Sequence, residues 1–360
     1  MLKMKIAVRL AARILFLTFS ALSQTAGEDG AGELIIAQDG ATSLTVVVSP
    51  QAEKWEKRAA EDLQKYIGQM TGAKPALAGT AAEITAAFAK ARDPLIILGQ
   101  QALAAEPTLA GALAGVAKRN PLVRSDAIAV RRAGNRIYLA GTNDESHYFA
   151  ASWLLHQWGC RWYFPGDFGE CIPTRPVLKV GALDHAYAPP FEVRHYWLSW
   201  NADSIGAEDF QRRNFMSSAR VAGMGHALGK YTAKLIPQGK TMFNVPLAEE
   251  TTAREVAAQI EPEYAKGVDG ISLAIEDGNY ASESPRDKEL HAGIYDKYAL
   301  QPSNTDAMMT LYNNVARTLR QKHPGSRTLI GGMAYANVTI PPQRVLTIEP
   351  NIVMWLAPID

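Results

Sequence analysis

The chain holds 360 residues, 47% of them hydrophobic and 20% charged, with a formal net charge of +1. Those figures give room for two domains of ordinary globular composition. A balance so near neutral argues against a nucleic-acid binder, which needs a strongly basic face.

Four cations, Lys3, Lys5, Arg9 and Arg13, precede an apolar run over residues 14–22, with Ala21 and Ser23 placed for cleavage. This is the layout of a secretory signal peptide over residues 1–26. The run is far shorter than the roughly twenty apolar residues of a membrane helix. The expectation is export to the periplasm or the medium, with a mature N-terminus between Gln24 and Gly30 and no membrane span. Removing four of the 37 basic residues leaves 33 against 36 acidic ones, a formal charge near −3. No cysteine follows closely, so a lipid anchor would lack its acceptor.

Residues 33–36 and 44–48 are short apolar runs, the second β-branched, and Asp39-Gly40 between them predicts a hairpin. Over residues 52–70, Trp55, Ala59, Leu63, Tyr66, Ile67 and Met70 share one helical face, and Thr71-Gly72 is the stop. Residues 95–98 read as a buried strand, and residues 127–130 and 136–139 flank Ala133-Gly134-Asn135 as a second hairpin. Helices alternating with partly hairpin-connected strands predict an α+β domain over residues 33–183, with helices on one face of its sheet. Residues 225–230 are one residue short of a phosphate loop, and Tyr231 stands where a hydroxyl should meet magnesium. No cofactor is expected.

Residues 141–173 read GTNDESHYFAASWLLHQWGCRWYFPGDFGECIP. Asn143 or Asp144 can cap a helix of about fifteen residues, on which Tyr148, Ala151, Leu155 and Trp158 recur at helical spacing, and Gly159 ends it. Trp162, Tyr163 and Phe164 then form a run too apolar for a solvated linker, closed by Pro165-Gly166. The whole string resembles the end of the N-terminal domain of family 67 alpha-glucuronidases and, more closely, of bacterial "domain of unknown function 4838" proteins. There a G-T-N-D helix precedes G-C-R-W-x-x-P-G-x-x-G-E-x-[IV]-P. The matches are Gly141, Thr142, Asn143, Asp144, Gly159, Cys160, Arg161, Trp162, Pro165, Gly166, Gly169, Glu170, Ile172 and Pro173. The resemblance implies a supporting domain in front of a (β/α) TIM-type barrel. An oxidising compartment would permit a bridge between Cys160 and Cys171 if their geometry allowed it. In the resembling family the first cysteine is common and the second is not, which favours two separate thiols.

After the hinge Tyr187-Ala188-Pro189-Pro190, residues 191–197 read as an apolar strand with a polar end. Residues 270–275, 328–332 and 351–356 are runs suited to burial on both faces. Between two of them Ser303-Asn304 can cap a helix through Met308, Leu311, Tyr312, Val315 and Leu319, stopped by Pro324-Gly325. This strand-helix rhythm fits a barrel, yet eight units need about 250 residues and residues 191–360 offer 170. An incomplete barrel of five or six strands is expected, giving an α/β chain with an α+β domain in front.

In such a barrel the chemistry lies at the C-terminal ends of strands. Glu276 and Asp277 end the 270–275 run, and glycoside hydrolysis needs a carboxylic acid to protonate the leaving oxygen. Glu276 is the expected general acid, with Asp277 as the neighbour that tunes it; a capped turn is the plain alternative. In the resembling proteins a D-x-G region follows this strand, often with cysteines beyond, where this chain has Ser282, Glu283 and Ser284. A more distant resemblance, to family 20 hexosaminidases, makes Arg194 a sugar-hydroxyl ligand, with His195 beside it. Met224-Gly225-His226 resembles the family's G-x-G-H segment, which puts His226 in the cleft. Tyr335 and Trp355 could stack on a sugar, although aromatics at such spacing are more often core. The seven histidines lack H-E-x-x-H or similar spacing, so no metal is expected. The leading expectation is an exported glycoside hydrolase-like protein acting on poly- or oligosaccharide, with uronic-acid or amino-sugar linkages in view. The alternative is a carbohydrate-binding or surface-interaction protein without turnover.

Overall fold

The computed structural model describes residues 32–357 except 122, 199–204, 220–222, 224 and 346; the signal segment and Met224 lie outside the described residues. The first unit runs β1 (Leu34–Gln38), β2 (Thr45–Val47), α1 (Lys54–Thr71), β3 (Ala76–Ala78), α2 (Ala81–Ala89), β4 (Leu95–Leu98), α3 (Gly99–Ala105), α4 (Thr108–Val116), β5 (Ile128–Ala133), β6 (Arg136–Gly141), α5 (Asp144–Gln157), β7 (Arg161–Trp162), β8 (Glu170–Cys171), β9 (Val177–Val180) and β10 (Asp184–Tyr187). Six of these strands form one sheet in the order β10-β5-β6-β4-β2-β3. β3, β2, β4 and β6 run parallel, and β5 pairs antiparallel with both β6 and β10.

Helices cover both faces of this sheet, which corrects the one-face expectation. Val46, Ile96, Leu98, Ile137 and Leu139 meet α1 and α5 on one side. Val47, Leu95, Ile97 and Tyr138 meet α2, α3 and α4 on the other. The reason is in β2 and β4, whose every residue is buried, so neither strand has a face to give to water. The expected hairpin of the first two strands is also corrected. Asp39 and Gly40 do make a tight turn closed by a Gln38–Ala41 bridge. The strands then part, β1 to pair with β9 and β2 to the middle of the large sheet. The second hairpin, β5 to β6, forms as expected.

The 141–173 string folds back against this core. Asn143 caps α5, its side chain accepting the Ser146 N–H at 3.0 Å. Asp144 caps a different helix, taking the N–H groups of Trp55 and Glu56 at the start of α1 at 3.0 and 2.9 Å. Tyr148, Ala151, Leu155 and Trp158 are all buried, as are Phe149 and Leu154. Of the three aromatics after Cys160 only Trp162 is buried; Tyr163 and Phe164 stand 63% and 59% exposed, which corrects that apolar run to a turn around Gly169. There a Cβ would lie 2.0 Å from the Phe164 carbonyl oxygen, so no other residue fits. Cys160 is buried with Sγ 3.8 Å from Met70 Sδ, Cys171 is exposed, and both are free thiols.

The remaining elements are α6 (Ala207–Arg213), α7 (Leu228–Thr232), α8 (Glu250–Tyr264), β11 (Gly270–Ser272), α9 (Pro285–His291), β12 (Tyr295–Asp296), β13 (Gln301–Pro302), α10 (Thr305–Lys322), β14 (Leu329–Ala334) and β15 (Ile352–Leu356). β11, β14 and β15 form a parallel sheet, and a parallel bridge from His226 to Ala274 adds one more segment at its edge. α8 and α10 lie against it through Val256, Ile260, Met308, Leu311, Tyr312 and Val315. Among the described residues this is a three-stranded parallel sheet with one bridge, short of the five or six strands expected and not a closed barrel. Residues 191–197 form no strand. That stretch wraps around Arg194, whose guanidinium bonds the carbonyls of Phe191 and Phe215 at 2.7 Å each, and it leaves Phe191, Tyr196 and Trp197 exposed.

Buried charge fastens this stretch and α6 to the first unit. Arg213 on α6 meets Asp62 of α1 at 3.0 Å and Glu170 of β8 at 3.4 Å. Arg212 meets Glu145 of α5 at 3.0 Å, and Arg194 meets the fully buried carboxylate of Asp126 at 2.7 Å. Burial opposes the Glu145 charge, yet Ser218, Arg212 and Arg124 together hold its carboxyl below the usual range.

Candidate functional site

The C-terminal ends of the parallel segments converge on one edge of the sheet. Residues 273–275 continue β11 as a fully buried stretch that delivers Glu276 and Asp277. The neighbouring Gly225-His226 segment is held by Ser272 Oγ, which donates to the Gly225 carbonyl at 2.7 Å, and by the Ala227 and Leu228 N–H groups on the Ala274 carbonyl at 3.1 Å each. Tyr335 follows β14 directly, and Leu356 ends β15. These ends open onto a cleft of about 890 Å³ lined by Asp277, Asn279, Lys297, Tyr298, Tyr335 and Leu356, among others.

The two adjacent carboxylates part. Glu276 turns back under the start of α7, accepting the Gly229 N–H at 2.7 Å. A Cβ at Gly229 would lie 2.8 Å from Glu276 Oε1, so this approach depends on glycine. Asp277 points outward, its side chain 74% exposed, with Oδ1 3.2 Å from His226 Nε2. Tyr335 lies near the same carboxylate, and burial together with the Asp277 charge holds its phenol above its usual range. The His226 and Tyr335 ring centroids are 6.5 Å apart.

The hydrogen bonding sets a proton inventory. His226 Nδ1 contacts the Ile275 carbonyl, which can only accept, so that nitrogen carries a proton. Nε2 then faces the Asp277 carboxylate. An exposed pair of this kind adds little to stability. It does bring the His226 ring against the Asp277 carboxylate at the mouth of the cleft.

Of the residues singled out in the sequence, Glu276, Asp277, His226 and Tyr335 therefore come together. Arg194 and His195 do not line this cleft. The donors of Arg194 are taken up by Asp126 and by backbone carbonyls, and it borders a separate groove of about 630 Å³ with Trp153, His185 and Phe215. His195 meets the edge of Trp355 at 5.8 Å. The short hairpin carrying Lys297 and Tyr298 was missed by sequence reasoning, because strands of two residues leave no periodic signal. Its one readable cue was Asp296, which caps the turn. Among the described residues no group of three or more His, Cys, Asp or Glu side chains could hold a metal ion, and no helix is long and apolar enough to cross a membrane.

No protein-family model matches the chain, and no curated protein matches it either. Solved structures similar to it include CpGH84D, at 11% identity and a TM-score of 0.31, with 90% of this chain and 53% of that one covered. A Flavobacterium johnsoniae chitobiase, FjGH20, is 8% identical with a TM-score of 0.35 and the same coverage. A GH138 enzyme targeting pectin rhamnogalacturonan II is 9% identical with a TM-score of 0.23, over 87% of this chain and 38% of that one. The chain spans about half the length of the first two of these. Its chemistry is therefore read from its own side chains.

Proposed function

We propose that this chain carries a glycoside hydrolase-like carbohydrate site in which Asp277, backed by His226 and Tyr335, supplies the proton to the leaving oxygen. The observation that carries the reading is that Asp277 and Tyr335, at the ends of parallel strands, line a cleft large enough for a sugar ring, with His226 against the Asp277 carboxylate. Glu276, the acid expected from the sequence, becomes a positioning residue. Its bond to the Gly229 N–H ties α7 to the strand end and fixes the segment that presents His226. The resemblance of residues 141–173 to "domain of unknown function 4838" and family 67 proteins is part of this reading, as is export through residues 1–26.

A second reading, carbohydrate binding without turnover, is favoured by one observation. Asp277 is the single carboxylate among the described residues that line the cleft, whereas hydrolysis usually takes two. Hydrolysis assays over a panel of neutral, amino-sugar and uronic-acid glycosides separate the two readings. If Asp277 is the acid, Asp277→Asn lowers turnover about a hundredfold or more with folding intact, and Glu276→Gln acts more weakly. Turnover unaffected by Asp277→Asn would overturn the assignment, and sugar binding with no turnover in the wild type would establish the second reading.

A further inference from the structure

The hairpin of β12 and β13 forms one wall of the cleft through Lys297, Tyr298 and Leu300. Its tip is built to hold a shape. Asp296 is fully buried, and its Oδ1 accepts the N–H groups of Tyr298 and Ala299 at 2.9 and 3.1 Å. The Ser303 N–H closes the base on the Ile294 carbonyl at 3.0 Å. On this tip Tyr298 and Leu300 are 62% and 71% exposed, although both are groups that burial would favour.

Lys297 is exposed beside them, its ammonium 5.0 Å from the centre of the Tyr298 ring. That contact sets the charge over an aromatic face. Among the described residues no carboxylate lies within ion-pair distance of Lys297, and Asp277 on the same cleft faces His226 at 3.2 Å. The cleft thus holds a cation lacking a protein anion, next to an aromatic face suited to the C–H side of a sugar ring.

From this we infer that the cleft selects a sugar bearing an anionic substituent, a carboxylate or a sulfate, paired with Lys297 while Tyr298 lies against the ring. The inference rests on the carbohydrate reading above. A lysine ammonium is a compact charge with three donors on a flexible stem, so it accommodates either anion.

The test is calorimetric titration of the full chain with three oligosaccharides of matched length, one neutral, one carrying uronate and one carrying sulfate. It is run on the wild type, Lys297→Ala and Lys297→Arg. Expected is an affinity for one anionic sugar about tenfold or more above the neutral one, a margin that shrinks in raised salt. Lys297→Ala should lose that margin and keep its affinity for the neutral sugar, and Lys297→Arg should recover most of it. The arm that carries the margin identifies the anion. Equal affinities in the wild type, or a margin that survives Lys297→Ala, would overturn the inference and leave the carbohydrate reading in place. No binding to any of the three would overturn both.

Discussion

At the scale of single residues, Glu56 and His147 show what burial does to charge. Glu56 is 1% exposed, and its carboxyl rises to about 7 because burial outweighs its backbone hydrogen bonds from Gln100 and Ser49, with Asp144 and Glu53 adding to the rise. His147 is 2% exposed and falls to about 4, again through burial, partly offset by Asp144. The folded chain therefore holds a proton on Glu56 that the unfolded chain releases between about pH 4.5 and 7, so this group lowers stability as pH rises through that window. His147 acts oppositely, lowering stability as pH falls from about 6.5 to 4. Glu56→Gln removes the first effect alone. Relative to the wild type the variant should gain stability as pH rises from about 4.5 to 7, by on the order of 3 kcal/mol. Urea unfolding of both proteins across that range measures it, and a difference independent of pH would refute the buried neutral carboxyl.

At the scale of elements, the prediction concerns how α6 is fastened. Arg213→Ala takes the shared cation from Asp62 and Glu170, both nearly buried, and leaves them only the more exposed Arg58 at 3.6 Å and Lys65 at 3.0 Å. Breaking a buried pair in this way costs about 3–5 kcal/mol. Lys54→Ala removes the pair to Glu208, whose side chains are 63% and 51% exposed, and should cost no more than about 1 kcal/mol. Equal losses in the two variants, read from unfolding midpoints, would contradict the view that buried charge makes this joint. The long helices were legible in sequence because each needs only its own apolar periodicity; α1, α5 and α10 fall within a few residues of expectation. Strand partners were not legible, since β1 pairs with a strand some 140 residues away and nothing local records that choice. Asp144 shows the same limit at one residue: sequence offers Asn143 or Asp144 as the cap of α5, and only the fold shows Asn143 there and Asp144 on α1.

At the scale of the whole molecule, a mixed α/β first unit supports a parallel-sheet edge where the candidate chemistry gathers. Glu276, Asp277, His226 and Tyr335 could be found in sequence because each ends a recognisable apolar run or sits in a recognisable segment. The pairing of Arg194 with Asp126, 68 residues earlier, becomes visible only in the folded chain. Lys297 was missed because its hairpin has no periodicity.

If Asp277 delivers a proton to a leaving oxygen as proposed, hydrolysis by the wild type and by Asp277→Asn will differ in its dependence on leaving-group acidity. Wild type and Asp277→Asn are compared on one sugar joined to an alcohol, which needs protonation to depart, and to a strongly acidic phenol, which does not. The account predicts a loss of about a hundredfold or more on the alcohol glycoside and little loss on the acidic phenol. Equal losses on both substrates would contradict it, because Asp277 would then act on something other than the departing oxygen.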